Sequence, residues 1–103
     1  MIEKLVWMEK KIYSTLTRKK KFTIVEVTNN KIVIRIQNGN LRTIGRDEFE
    51  KPWEKLIEDK KITQKQIYDT GTQNSAYIAA ILSNTLGVSS QIKPARLEYR
   101  EPD

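Results

Sequence analysis

The sequence predicts an α+β fold: a three-stranded antiparallel meander packed against helices. Three observations lead there. Residues 22–44 are rich in β-branched residues that alternate with polar ones, and they are punctuated by Asn29-Asn30 and Asn38-Gly39. Residues 47–59 and 73–85 carry apolar side chains at helical spacing. The 103 residues, 38% hydrophobic and 31% charged, contain no repeat or linker, so 1–103 reads as a single domain with one core.

The elements follow in order. Ile2, Leu5, Met8, Ile12 and Leu16 recur every three or four residues, with Lys4, Lys10 and Lys11 on other faces, which predicts a helix over 2–16. The basic run Arg18-Lys19-Lys20-Lys21 leads into the meander. A two-residue turn at Asn29-Asn30 sets Val27 opposite Ile32, Val25 opposite Ile34 and Thr23 opposite Ile36. A second such turn at Asn38-Gly39 sets Ile36 opposite Leu41 and Arg35 opposite Arg42. Val25, Val27, Ile32, Ile34, Ile36 and Leu41 are then expected to be buried together, with Lys31, Arg35 and Arg42 on the opposite face.

Gly45 ends the third strand. In the 47–59 helix, Phe49, Trp53, Leu56 and Ile57 share one side, and Pro52 either kinks the helix or marks where it properly begins. Thr63 and Gln66 form a capping box for a short helix. Gly71 breaks the chain before the 73–85 helix, which Gly87 closes. Residues 91–99 are a candidate fourth strand, interrupted by Pro94 and so at an edge. Glu101-Pro102-Asp103 should fray.

Charge and absent residue types narrow the function. The chain has no cysteine and no histidine, which removes disulfides, thiolate metal sites and every Ser-His or Cys-His nucleophile. The carboxylates gather at 47–59 with spacing that suits an exposed helix face, and the four glycines are dispersed, so neither a paired-acid site nor a phosphate loop is evident. No enzyme, metal or cofactor is expected. No apolar run is long enough to span a membrane and no signal peptide is evident, so a cytoplasmic location without a membrane partner is expected. The net charge of +6 is uneven: residues 1–42 carry +7, 43–60 carry −2 and 61–103 carry +1. Such a bias suits an anionic partner, with nucleic acid the default; lysine serving solubility is the plainer alternative.

Two resemblances bear on that partner. Residues 62–78, with Thr63-Gln64 opening a short helix, Gly71 in the turn and Thr72-Gln73-Asn74-Ser75 before an apolar helix, resemble the helix-turn-helix unit of winged-helix-like DNA-binding proteins. The resemblance implies that Gln73, Asn74 and Tyr77 meet base edges in the major groove. The chain departs from that pattern at Ile67, where the family has a small residue. No charged side chain occurs from Thr70 through Ile92, so phosphate contacts would fall to other elements. The order of basic hairpin, Thr43-Ile44-Gly45-Arg46-Asp47-Glu48-Phe49 helix and Asn74-Ser75-Ala76-Tyr77-Ile78-Ala79-Ala80-Ile81-Leu82 is also similar to a small accessory domain of prokaryotic restriction-type nucleases.

The function expected is therefore non-catalytic binding of double-stranded DNA. Arg18, Lys19, Lys20, Lys21, Lys31, Arg35 and Arg42 would contact phosphates, and Gln73, Asn74 and Tyr77 would supply any sequence preference. The alternative is a protein-interaction or accessory module, a homodimer or a partner in a complex, using the uncharged 73–85 helix with Trp7 and Trp53. RNA bound on the sheet face is a third reading.

Overall fold

The structure, a computed structural model, describes residues 2–92 and 94–101, with side chains from residue 5 onward. Its first segment corrects the sequence reading. In place of one helix over 2–16 there is a 3₁₀ helix, Ile2–Met8, followed by strand β1, Ile12–Ser14. Leu5 and Met8 lie three residues apart, which aligns them on a three-residue turn, and both are buried. Lys10 then takes a left-handed conformation (φ 64°) and redirects the chain. Ile12 and Tyr13 favour an extended backbone, and β1 pairs antiparallel with β2, Lys21–Val27, through Ile12↔Thr23, Tyr13↔Phe22 and Ser14↔Lys21. With β3, Lys31–Arg35, and β4, Leu41–Gly45, this makes a four-stranded sheet in the order β1-β2-β3-β4. The fourth strand thus comes from the N-terminus, where a helix had been expected.

The meander forms, but in a different register. Val27 faces Ile32 as expected; beyond Glu26↔Val33 a β-bulge intervenes, and the next pairs are Ile24↔Ile34 and Thr23↔Arg35. One extra residue on β2 reverses which side chains point inward. Phe22 and Ile24 thereby join Val27 in the core, while Val25 is half-buried. On its other edge, beside the bulge, β2 is hydrogen-bonded by the N-terminal segment. Lys10 N–H donates to Ile24 O (2.6 Å), Ile24 N–H to Lys11 O (3.2 Å), and Val27 N–H to Glu9 Oε1 (3.0 Å).

The second turn is one residue longer than expected. Gly39 N–H donates to Ile36 O and Ile36 N–H to Asn40 O, with Gly39 at φ 91°, so a three-residue loop replaces the two-residue one. The register moves by one, to Ile34↔Arg42 and Arg35↔Leu41. Arg35 and Arg42 are therefore on opposite faces. Leu41 is 56% exposed and Ile36 half-buried, so of the six residues expected to be buried together only Val27, Ile32 and Ile34 are, joined by Ile44.

Helix α1, Arg46–Asp59, starts six residues before Pro52 and runs through it, burying Phe49, Pro52 and Leu56. Left-handed Lys60 ends it, and strand β5, Lys61–Thr63, follows. Helix α2, Gln64–Asp69, has the expected capping box: Gln66 N–H donates to Thr63 Oγ1 (3.0 Å) and Thr63 N–H to Gln66 Oε1 (2.9 Å). Helix α3, Ser75–Ser83, is shorter than predicted, and Ile78 to Leu82 are all buried, so the helix is enclosed on every side along those residues. Residues 91–99 do not make one interrupted strand. Pro94 sits in the turn between β6, Val88–Ile92, and β7, Ala95–Tyr99, and β7 lies centrally in a second sheet ordered β5-β7-β6. α3 touches β1 of the first sheet and β6 and β7 of the second, and residues from both sheets share one hydrophobic core. The expected fraying of Pro102 and Asp103 lies outside the described residues.

Candidate functional site

The turn before α3 is held by Glu48, a residue the sequence reading had left among exposed acids. Glu48 sits in the first turn of α1, and its Oε2 accepts Gly45 N–H at 2.8 Å. Its Oε1 accepts the Thr72 hydroxyl (2.7 Å) and the Asn74 amide Nδ2 (3.1 Å), while Thr72 Oγ1 accepts Asn74 N–H at 3.0 Å. Partial burial pushes the Glu48 carboxyl up, but these three hydrogen bonds favour the anion and outweigh it, leaving the pKa below the ordinary 4.5. Arg42 extends the network. Its Nη1 reaches Asn74 Oδ1 at 3.5 Å and its guanidinium lies 5.5 Å from the centroid of the Tyr77 ring. Tyr77 meets Phe22 edge-on at 5.2 Å, and Phe22 lies 6.1 Å from Tyr13. Burial raises the Tyr13 phenol above its usual 10.0.

Beside this cluster a cavity of about 320 Å³ opens between the β1–β2 loop and α3. It is lined by Thr15, Thr17, Arg18, Lys20, Gln64, Ala76 and Tyr77. The loop is closed at its base, where Thr15 N–H donates to Lys20 O and Lys20 N–H to Thr15 Oγ1. Lys19, the last residue before that closure, is left-handed (φ 55°). The lining holds two cations, two threonine hydroxyls, a carboxamide and a tyrosine, with no carboxylate, a set suited to an anion that carries an apolar body. A larger hollow of about 490 Å³, lined by Asp59, Lys61, Ile62, Thr63, Gln66 and Arg96, mixes both charge signs.

The ten sequence-predicted residues fall into three groups. Arg18, Lys20 and Tyr77 share the cavity, with Arg42 and Asn74 adjoining through the Tyr77 ring. Lys21, Lys31 and Arg35 point to the other face of the sheet, as their alternation with buried Phe22, Ile32 and Ile34 requires. Lys19 and Gln73 are exposed in loops. The amide of Asn74 is committed to Glu48 and Arg42, and Tyr77 is half-buried against Phe22, so of the three base-contact candidates Gln73 alone is exposed. Thr15, Thr17 and Gln64 were missed. The capping box at Thr63–Gln66 places Gln64 at the start of α2, but nothing in the sequence says that this helix faces the 15–20 loop.

No group of three or more acidic, histidine or cysteine side chains that could hold a metal occurs among the described residues, and no helix there is long and apolar enough to cross a membrane. Comparison with protein-family models, curated proteins and solved structures finds no match to this chain.

Proposed function

We propose that the protein is a non-catalytic binder of double-stranded DNA that grips the phosphate backbone between the β1–β2 loop and the start of α3. The observation that carries this reading is the convergence of Arg18 and Lys20 on one cavity with Thr15, Thr17 and Tyr77, without a carboxylate among them. Arginine and hydroxyl groups are standard phosphate partners, and the +7 charge of residues 1–42 supplies a long-range field that draws a polyanion toward this end of the molecule. Base reading has a smaller place than the helix-turn-helix resemblance implied. The second half of α3 is enclosed, and Asn74 already spends its amide within the molecule, which leaves Gln73. Binding is accordingly dominated by the backbone and tolerant of sequence.

Titration of labelled duplexes of several sequences at several salt concentrations tests this. Micromolar binding is expected at ~50 mM salt, similar for all sequences, and each of Arg18→Ala and Lys20→Ala should flatten the slope of log affinity against log salt by about 0.9. Absence of saturable binding, or variants with unchanged slopes, would refute the proposal.

A further inference from the structure

The face of the four-stranded sheet turned away from the core is open, and its composition points to a second partner. One cross-strand row runs through all four strands: Ile12↔Thr23, Thr23↔Arg35, Arg35↔Leu41. Its two ends are aliphatic and strongly exposed, Ile12 at 68% and Leu41 at 56%, and Arg35 stands between them. Exposed Lys21 lies two residues along β2 from Thr23 and exposed Lys31 four residues along β3 from Arg35, and Glu26 is the sole acid on this face of the described strands. A lone exposed aliphatic side chain needs no explanation. Two of them closing one row, about 14 Å apart at the usual strand spacing, with Arg35 between them and the two lysines further along the same face, form a surface of defined pattern.

We infer that this face docks an acidic segment of another protein, one that presents two aliphatic side chains about 14 Å apart with carboxylates between them. Charge complementarity selects the acid: the face carries three cations against one carboxylate. The aliphatic ends select a polypeptide over a nucleic acid. The aromatic residues of this sheet, Tyr13 and Phe22, both lie on the core side, so among the described strands no ring stands on the open face to stack a base. A second copy meeting face to face would set Arg35 and the lysines against their own kind. The inference stands apart from the DNA-binding proposal, because the Arg18–Lys20–Tyr77 cavity lies on the core side of the sheet.

Selection of displayed random 12-residue peptides against the full chain tests it. The expected consensus is acidic with two separated aliphatic residues, and synthetic peptides so selected should lose tenfold or more in affinity with Arg35→Glu or Leu41→Glu and stay unchanged with Arg18→Ala/Lys20→Ala. Both of the first two side chains are at the surface; Lys31→Glu, at another exposed position, provides a third variant should either alter the unfolding midpoint. Enrichment of sequences without acidic excess, affinity insensitive to all three reversals, or no enrichment above the Arg35→Glu/Leu41→Glu protein would overturn the inference. So would phosphatidylserine vesicles or single-stranded oligonucleotides that bind through the same three residues, or concentration-dependent self-association that they abolish.

Discussion

Replacing Thr72 with valine removes one hydroxyl and keeps the shape of the side chain. Thr72 is 5% exposed, donates to Glu48 Oε1 at 2.7 Å and accepts Asn74 N–H at 3.0 Å. A hydrogen bond to a carboxylate contributes about 1.5–3 kcal/mol and an ordinary one about 1 kcal/mol, so Thr72→Val should cost roughly 2–4 kcal/mol at pH 7, where Glu48 is ionised. The loss should depend on pH. The folded-state pKa of Glu48 lies below its ordinary 4.5, so the stabilisation from its ionised form is fully present above about 4.5 and fades as pH falls through the folded value. Once Glu48 is protonated in the folded protein the charge-assisted part is gone, and the cost should fall toward about 1 kcal/mol. Urea unfolding followed by the fluorescence of Trp7 and Trp53, at pH 7 and along a descending acid series, measures both. A cost that stays the same down the whole acid series, or one under about 1 kcal/mol at pH 7, would refute the assignment of Glu48 as the anchor of the turn before α3.

Two further substitutions test local claims. Gly39→Ala places a Cβ in open space, with nothing within 4 Å, but at φ 91°, so it should cost the left-handed penalty of about 1–2 kcal/mol in thermal unfolding without any packing term; Gly39→Asn should cost less. Thr63→Ala removes the acceptor of Gln66 N–H and should destabilise by about 1 kcal/mol, with faster hydrogen exchange at the Gln66 amide as the local readout.

Local signals in the sequence translated well where one interaction decides the outcome. The Thr63–Gln66 cap, the helix after Gly45 and the Asn29-Asn30 turn with Val27 facing Ile32 are of this kind. Register failed where two arrangements satisfy the same alternation. In 22–27, Phe22 and Ile24 share one parity and Val25 and Val27 the other, and only the bulge lets Phe22, Ile24 and Val27 all reach the core. The groups that hold the other edge of β2 beside it, from Lys10, Lys11 and the Glu9 side chain, lie more than a dozen residues away from their partners. Asn38-Gly39 fits a two-residue turn and a three-residue one equally, and the choice decided where Arg35 and Leu41 point. At the N-terminus, a three-four spacing was read as one helix, although Leu5 and Met8 at spacing three suit a 3₁₀ turn and Ile12-Tyr13 a strand. The basic run and Tyr77 were both legible as candidates. Their meeting in one cavity depends on α3 crossing against β1, which no local pattern specifies.

The most direct test of the DNA-binding proposal is a map of amide chemical-shift changes when the ¹⁵N-labelled protein is titrated with a short duplex. Saturable changes should centre on Thr15 to Lys20, Gln64, Ala76 and Tyr77, fade with added salt, and spare Ile12, Lys31 and Leu41. Changes confined to the open sheet face, or none up to millimolar duplex at low salt, would contradict it.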